Sequence, residues 1–268
     1  MPFCDLDHMS LNDFIESQRG GDDSFWFFQH IPKTAGSSFS TELRKRQWPY
    51  ANITVDYTDM VTPHDEKLAR SVSAFLDEAK LTTFRSASGH LKLDQVNRVA
   101  EAMPDCRVVT FLRSPEARVI SDFRYQRTPM HPPYQQFIER FPTLESYVES
   151  PDSQNKMADF LLGSTAGMSA EDAVASVGRS HVFIGLLEMY PMSFNIMFRL
   201  MGHDGLWPVE HQRKTPDDET TKVVMTPQLR AMIRRTNRLD QAIYDHAHAV
   251  LVRHREAFKQ LDQATARA

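Results

Sequence analysis

One stretch of 15 residues restricts the possible folds of this chain more than any other: Phe25-Trp26-Phe27-Phe28-Gln29-His30-Ile31-Pro32-Lys33-Thr34-Ala35-Gly36-Ser37-Ser38-Phe39. An unbroken run of large apolar residues marks a strand covered on both faces, as in a parallel sheet. The run stops at a proline, passes a lysine and a glycine, and enters an amphipathic segment, Phe39 to Arg46, through two serines. Strand, tight loop and helix in that order bring one cation, several backbone N–H groups and a helix N-terminus to a point. Such a point binds anions, and a phosphate is the expected occupant. The triphosphate loop G-x-x-x-x-G-K-[ST] is absent, because Lys33 precedes Gly36 by three residues. Phosphate binding is therefore favoured over ATP or GTP hydrolysis. Spacing alone also admits an ordinary strand–turn–helix with a surface lysine.

The rest of the chain repeats the alternation. Extended patterns are expected at Asn52–Tyr57, Leu81–Ser88, Arg107–Leu112 and His181–Gly185. Helical spacing recurs within 63–80, 93–100, 134–140, 144–149, 157–162, 171–177 and 190–201, and over 227–258 as one long helix or two end to end. Strands alternating with helices predict an α/β fold, with a mainly parallel central sheet flanked by helices on both faces. Residues 1–23 are polar with one short helical pattern (Leu11, Phe14, Ile15) and are expected to form an N-terminal arm. Residues 24–268 are expected to form a single domain, with a proline-broken insertion between Thr128 and Pro151.

At 268 residues and a net charge of −4 the chain has no overall basic field to recruit nucleic acid or anionic membrane. An anionic ligand must be held by local lysines and arginines. Cys4 and Cys106 are too few for a disulfide framework and are expected as free thiols. No apolar run approaches the ~20 residues that span a bilayer, and the N-terminus lacks a signal-peptide core. The eleven histidines show no ligand-like cluster, His246 and His248 lying on different faces of a helix, so no metal is expected.

Two further features carry chemistry. Arg113 closes the strand at 107–112, and Ser114 and Pro115 have the residue types of an N-cap and first helical position, with Ser121 about two turns beyond. A guanidinium fork and a hydroxyl suit a second phosphate, although many helices carry such a pair without a ligand. Gly89-His90 ends an extended segment, a place where a lone histidine is more often structural than catalytic.

The written-out string His30-Ile31-Pro32-Lys33-Thr34-Ala35-Gly36-Ser37-Ser38-Phe39 closely resembles the 5′-phosphosulfate-binding loop of sulfotransferases that use 3′-phosphoadenosine-5′-phosphosulfate (PAPS). It is most similar to the carbohydrate branch that includes the heparan and uronyl 2-O-sulfotransferases. The segment Thr110–Ser121 resembles that family's 3′-phosphate-binding segment, and Ser88-Gly89-His90-Leu91 its glycine-histidine. Asn155–Gly163, Phe183–Glu188 and Leu239–Tyr244 resemble three later segments, so the likeness runs from about residue 25 to 250. It implies a P-loop-like sulfotransferase fold, PAPS as co-substrate and PAP as product, without a metal. It assigns Lys33, Thr34, Ala35, Gly36, Ser37, Ser38, Arg113 and Ser121 to the nucleotide, His90 as base and Lys33 to the leaving phosphate. The implied acceptor is a hydroxyl of a carbohydrate or other small alcohol. That branch often has a second histidine two positions before the base, where this chain has Ser88. Its eukaryotic members are membrane-anchored Golgi proteins, whereas this chain is expected to be soluble and cytoplasmic. A nucleotide kinase would need a magnesium-binding carboxylate, and no motif marks one. A non-catalytic module binding a phosphoadenosine nucleotide is the other alternative. Arg124, Arg127 and His131, and His211, Arg213 and Lys214 in the polar stretch 203–218, are further cations that face either a ligand or water.

Overall fold

The computed structural model describes residues 2–56, 59, 61–131, 133–208 and 223–267. Five parallel strands form one sheet: β1 (Phe25–Gln29), β2 (Tyr50–Ile53), β3 (Ser86–Gly89), β4 (Cys106–Leu112) and β5 (Phe183–Leu186), in the order β2-β3-β1-β4-β5. Connecting them are α1 (Leu11–Gln18), α2 (Gly36–Arg46), α3 (His64–Ala79), α4 (Leu93–Ala102), α5 (Pro115–Gln126), α6 (Tyr134–Arg140), α7 (Leu144–Glu149), α8 (Lys156–Leu162), α9 (Ala170–Ser180) and α10 (Tyr190–Leu200). The chain closes with α11 (Pro227–Thr236), α12 (Arg238–Arg253) and α13 (Arg255–Arg267). The expected α/β architecture, with helices on both faces of a parallel sheet, is what the chain adopts.

The apolar run that defines β1 divides its side chains between two cores, because successive residues of a strand point to opposite faces. Phe25 and Phe27 pack with Leu68, Val72 and Phe75 of α3 and Val96 and Val99 of α4. Trp26 and Phe28 enter the larger core, with Phe39 and Leu43 of α2 and the inner sides of α8, α9, α10 and α12. A third cluster joins Val119 and Phe123 of α5 to Phe137, Tyr147 and Val148 of the 128–151 insertion and to Leu229 and Ile233.

Three expectations need correction. Of the expected arm at 1–23, residues 2–23 are described, and they do not stand off the domain: Phe3, Leu6, Leu11 and Phe14 are fully buried in the main core, and the Phe3 amide donates to the His181 carbonyl at 2.8 Å. Their burial comes from contacts with distant segments, which a local polar average does not register. β2 lies two residues earlier than the alternation at 52–57 indicates, since Tyr50 is the residue registered against Ser86. The C-terminal apolar pattern is broken twice, at Asn237 and His254, giving three helices. Asn237 lies outside helical geometry (φ −120°, ψ 43°), and its carboxamide oxygen accepts from the Asn155 amide at 2.9 Å.

At the C-terminal end of β1 a buried carboxamide fixes the neighbouring loops. Gln29 donates through Nε2 to the carbonyls of Leu91 (2.9 Å) and Phe160 (2.8 Å), and its Oε1 lies 2.8 Å from His181 Nε2. With Nε2 committed as donor, His181 must be the neutral Nε2–H tautomer. Burial pushes its pKa down to about 4. The unfolded chain therefore takes up this proton first, as pH falls below ~6.5, and stability is lost from there down to about pH 4. That one group should cost about 3 kcal/mol across the window. Urea midpoints followed from neutral pH to ~4.5 should fall more steeply for the wild type than for His181→Gln, which keeps a donor to Gln29 without a titrating ring. Parallel slopes would show that His181 does not control the acid limb.

Candidate functional site

Gln29, the last residue of β1, is registered against Gly89 at the end of β3 on one side and against Thr110 on the other, from which β4 runs two residues further to Leu112. The residues that follow them are His90, the loop His30–Ala35 and Arg113. Crevices at the carboxyl edge of a parallel sheet, where connections leave in opposite directions, are where such folds bind ligands. The strand order alone thus places the anion loop between the histidine and the arginine.

The loop is held in an unusual conformation. Lys33 (φ 71°) and Ala35 (φ 87°) both occupy the left-handed region, at a cost of order 1–3 kcal/mol each for residues with a Cβ. The Thr34 side chain is buried, and its hydroxyl donates to the Ile31 carbonyl at 2.9 Å, bracing the turn. Gly36 begins α2, and a Cβ there would lie 1.7 Å from His30 Nε2, so only glycine lets the helix start against that ring. Ala35, the N-cap, offers no side-chain acceptor to the first turn. A first turn has no intrahelical acceptors for its N–H groups, so the start of α2 at Gly36, Ser37 and Ser38 is the positive end of that helix.

Lys33 and Arg113 meet on the β4 side. The Lys33 ammonium sits 3.9 Å above the Tyr125 ring, and its backbone carbonyl accepts from Arg113 Nη1 at 3.3 Å. Helix α5 starts as its residues predict: Ser114 Oγ accepts from the Ala117 amide at 3.3 Å, with Pro115 in the first turn. Ser121 is partly exposed and lies one turn before Tyr125, on the side of α5 that reaches the loop. The helix is locked from behind by Asp122, whose carboxylate accepts from Tyr147 (2.9 Å), Lys156 (3.0 Å) and Arg118 (3.1 Å). Those cations overcome burial and hold its pKa to about 2.

On the β3 side, His90 Nδ1 lies 2.6 Å from the His30 carbonyl. A carbonyl can only accept, so Nδ1 carries the hydrogen and Nε2 presents a lone pair. Burial lowers the His90 pKa below 6.5, helped by His64 and Lys156 and opposed by the bond to His30. Burial, His90 and Lys33 hold His30 well below that range. Both rings line a cavity of about 290 Å³ walled by Ser37, Ser40, Thr41 and Arg44 of α2 and by Tyr50, Asn52 and Thr54. The position of the missing second histidine, Ser88, is buried and bonded to the Tyr50 hydroxyl (2.6 Å) and Ser40 (3.3 Å).

The three later segments brace this site. Asn155 Oδ1 accepts from the amides of Leu239 (2.9 Å) and Asp240 (3.3 Å), while the Asp240 carboxylate accepts from the Ala158 (2.7 Å) and Met157 (3.2 Å) amides. Each side chain caps the other's helix. Glu188 Oε1 accepts from the Ser114 amide at 2.9 Å and bonds Tyr244. Arg127 is turned away, donating to the Phe141 carbonyl at 3.0 Å and covering Phe123. His131 packs edge-on against Tyr125, with ring centroids 5.9 Å apart. His211, Arg213 and Lys214 lie outside the described residues. Sequence reasoning gave no role to His30, to Tyr125 or to the cavity wall apart from Ser37. The one signal for His30 was its place two residues after Phe28, on the same face of β1.

Among the described residues, no group of three metal-ligating side chains converges, and no helix is long and apolar enough to cross a membrane. No family model matches the sequence, and no curated protein matches it. Among solved structures, the chain is similar to the crystal structure of the mouse sulfotransferase SULT7A1 complexed with PAP. The identity is 15% and the TM-score 0.38, over 86% of this chain and 69% of that one. A likeness of this degree leaves activity to be judged from the geometry of the site itself. That geometry defines an α/β protein with a strand–loop–helix junction carrying Lys33 and an uncapped helix N-terminus at the carboxyl edge of a parallel sheet.

Proposed function

We propose that the protein is a PAPS-dependent sulfotransferase acting on a hydroxyl acceptor, a carbohydrate or another small alcohol. The observation that carries this reading is the order His90, anion loop, Arg113 across three adjacent strand ends, with a polar cavity on the histidine side. One nucleotide with phosphates at both 5′ and 3′ positions matches two cationic sites on two strand–helix junctions. Lys33 with the α2 N-terminus suits the 5′ end, and Arg113 with Ser121 the 3′ end. Bound PAPS supplies the sulfuryl group. The chain supplies three things. His90 Nε2 takes the acceptor's proton, Lys33 and the first turn of α2 place positive charge where the departing phosphate gains negative charge, and the loop holds the line of transfer. The cavity of about 290 Å³, lined by hydroxyls, an amide and Arg44, is the acceptor's side of the site in this reading.

Titration calorimetry tests the nucleotide half. PAP should bind much more tightly than AMP or ATP, and Arg113→Ala should remove most of that margin, a loss of ~1.5–3 kcal/mol for one charge-assisted phosphate contact. Equal affinities for AMP and PAP would end the proposal. Transfer of radiolabelled sulfate from PAPS to a panel of sugars and simple alcohols tests the acceptor half and separates an enzyme from a binding module.

A further inference from the structure

We propose that His30 is a positioning residue of this site, the side chain that fixes the placement and tautomer of His90 relative to the anion loop. The inference rests on the reading of His90 as base and adds a residue to it. His30 is joined to the 89–90 segment three ways. Its amide donates to the Gly89 carbonyl at 3.0 Å, its own carbonyl holds His90 Nδ1 at 2.6 Å, and its ring stacks on the His90 ring with centroids 4.1 Å apart and planes 34° apart. Phe28 backs the same ring, with centroids at 5.5 Å and planes 17° apart. Its edge meets the start of α2, where a Cβ on Gly36 would lie 1.7 Å from Nε2 and 1.8 Å from Cδ2. One flat side chain therefore touches both halves of the chemistry, the loop that would hold the leaving phosphate and the ring that would take the proton.

The arrangement has two physical consequences. A ring wedged against Gly36 sets the gap between loop and base as a contact distance. Displacements of ~1 Å at such a gap can cost 10²-fold in rate. The stack also holds the His90 ring where its Nδ1 meets the His30 carbonyl, which keeps the lone pair on Nε2. At neutral pH His30 itself is uncharged, held so by burial and by His90 and Lys33, and adds no charge beside the base. The other titratable groups about His90 are His64 at the start of α3 and Lys156 on α8, whose charges act on it, and Arg44 and Tyr50, which line the same cavity.

The test compares His30→Phe, which keeps a flat ring and the backbone carbonyl, with His30→Ala and His30→Gln, which keep only the carbonyl. Imidazole ¹⁵N NMR, with His90 assigned through His90→Gln, reads the tautomer in the absence of any acceptor. Wild type and His30→Phe should show His90 as a single Nδ1–H tautomer, and the other two should show a mixture. With labelled PAPS and whichever acceptor the panel yields, His30→Ala and His30→Gln should lose ~10–10² in kcat. His30→Phe should recover most of it, and PAP affinity should stay within about threefold throughout. In a His90→Ala background the His30→Ala loss should vanish, because both changes act through one ring. An unchanged tautomer in both Ala and Gln variants, or losses that add to that of His90→Ala, would overturn the proposal. If wild type transfers sulfate to nothing, the sulfotransferase reading fails, while the tautomer series still decides the placement of His90.

Discussion

Replacing His90 with alanine should lower sulfuryl transfer by ~10²–10⁴-fold, the range for loss of a positioned general base. An alcohol is too weak an acid to attack unaided, and the lone pair on Nε2 is the one feature of this residue not used in holding it in place. Nucleotide binding should survive, because Lys33 and Arg113 lie on the other side of the loop from β3. The pH profile makes the assignment specific. The protonated ring cannot act as base, so activity falls as pH drops through its pKa. Burial, with His64 and Lys156, places that limb below 6.5 even though the bond to His30 opposes them. Initial rates with labelled PAPS between about pH 5 and 8 should show this limb in wild type and lose it in His90→Ala. A variant that retains both its rate and its limb would make His90 a structural residue.

The parts of this picture that were legible in sequence are those whose causes are local. The β1–loop–α2 unit is written in consecutive residues, as are the Ser114 cap and Pro115 of α5, and each appears where its chemistry predicts. The pairings were not legible. His30 and His90 are 60 residues apart, and Lys33 and Tyr125 are 92 apart. Only the strand order β3-β1-β4 brings the first pair together, and only the crossing of α5 over the loop brings the second. The same holds for Asn155 with Asp240 and for Glu188 with Ser114. Those segments were visible as marks of resemblance, but the hydrogen bonds by which they hold neighbouring helix starts depend on contacts across the fold. Thr34 adds a contact of the local kind: its hydroxyl donates to the Ile31 carbonyl three residues back and braces the turn. Residues 3–14 were misjudged because burial is decided by what packs above a segment, here the His181 end of β5 and α9, and not by the segment's own polarity.

The second large effect concerns Lys33. Lys33→Ala should reduce kcat by ~10²–10³ while weakening PAP binding far less, since a donor aimed at developing charge acts mainly in the transition state. The backbone supports this split. Lys33 sits at φ 71° whatever its side chain, and alanine bears the same Cβ strain as lysine, so the loop has no new reason to change shape. The carbonyl that receives Arg113 is likewise untouched by the substitution. What disappears is the ammonium held 3.9 Å over Tyr125, a ring contact that keeps the long stem from wandering. Lys33→Arg should not restore the rate, because a planar fork cannot reproduce a point charge in the same pocket. Single-turnover rates with saturating PAPS, set beside calorimetric PAP affinities for the same variants, separate the two effects. Equal losses in both would mean that Lys33 contributes ordinary binding. Unchanged turnover would leave it as a cation packed on Tyr125, with the charge of the departing phosphate met by the N–H groups of Gly36, Ser37 and Ser38 alone.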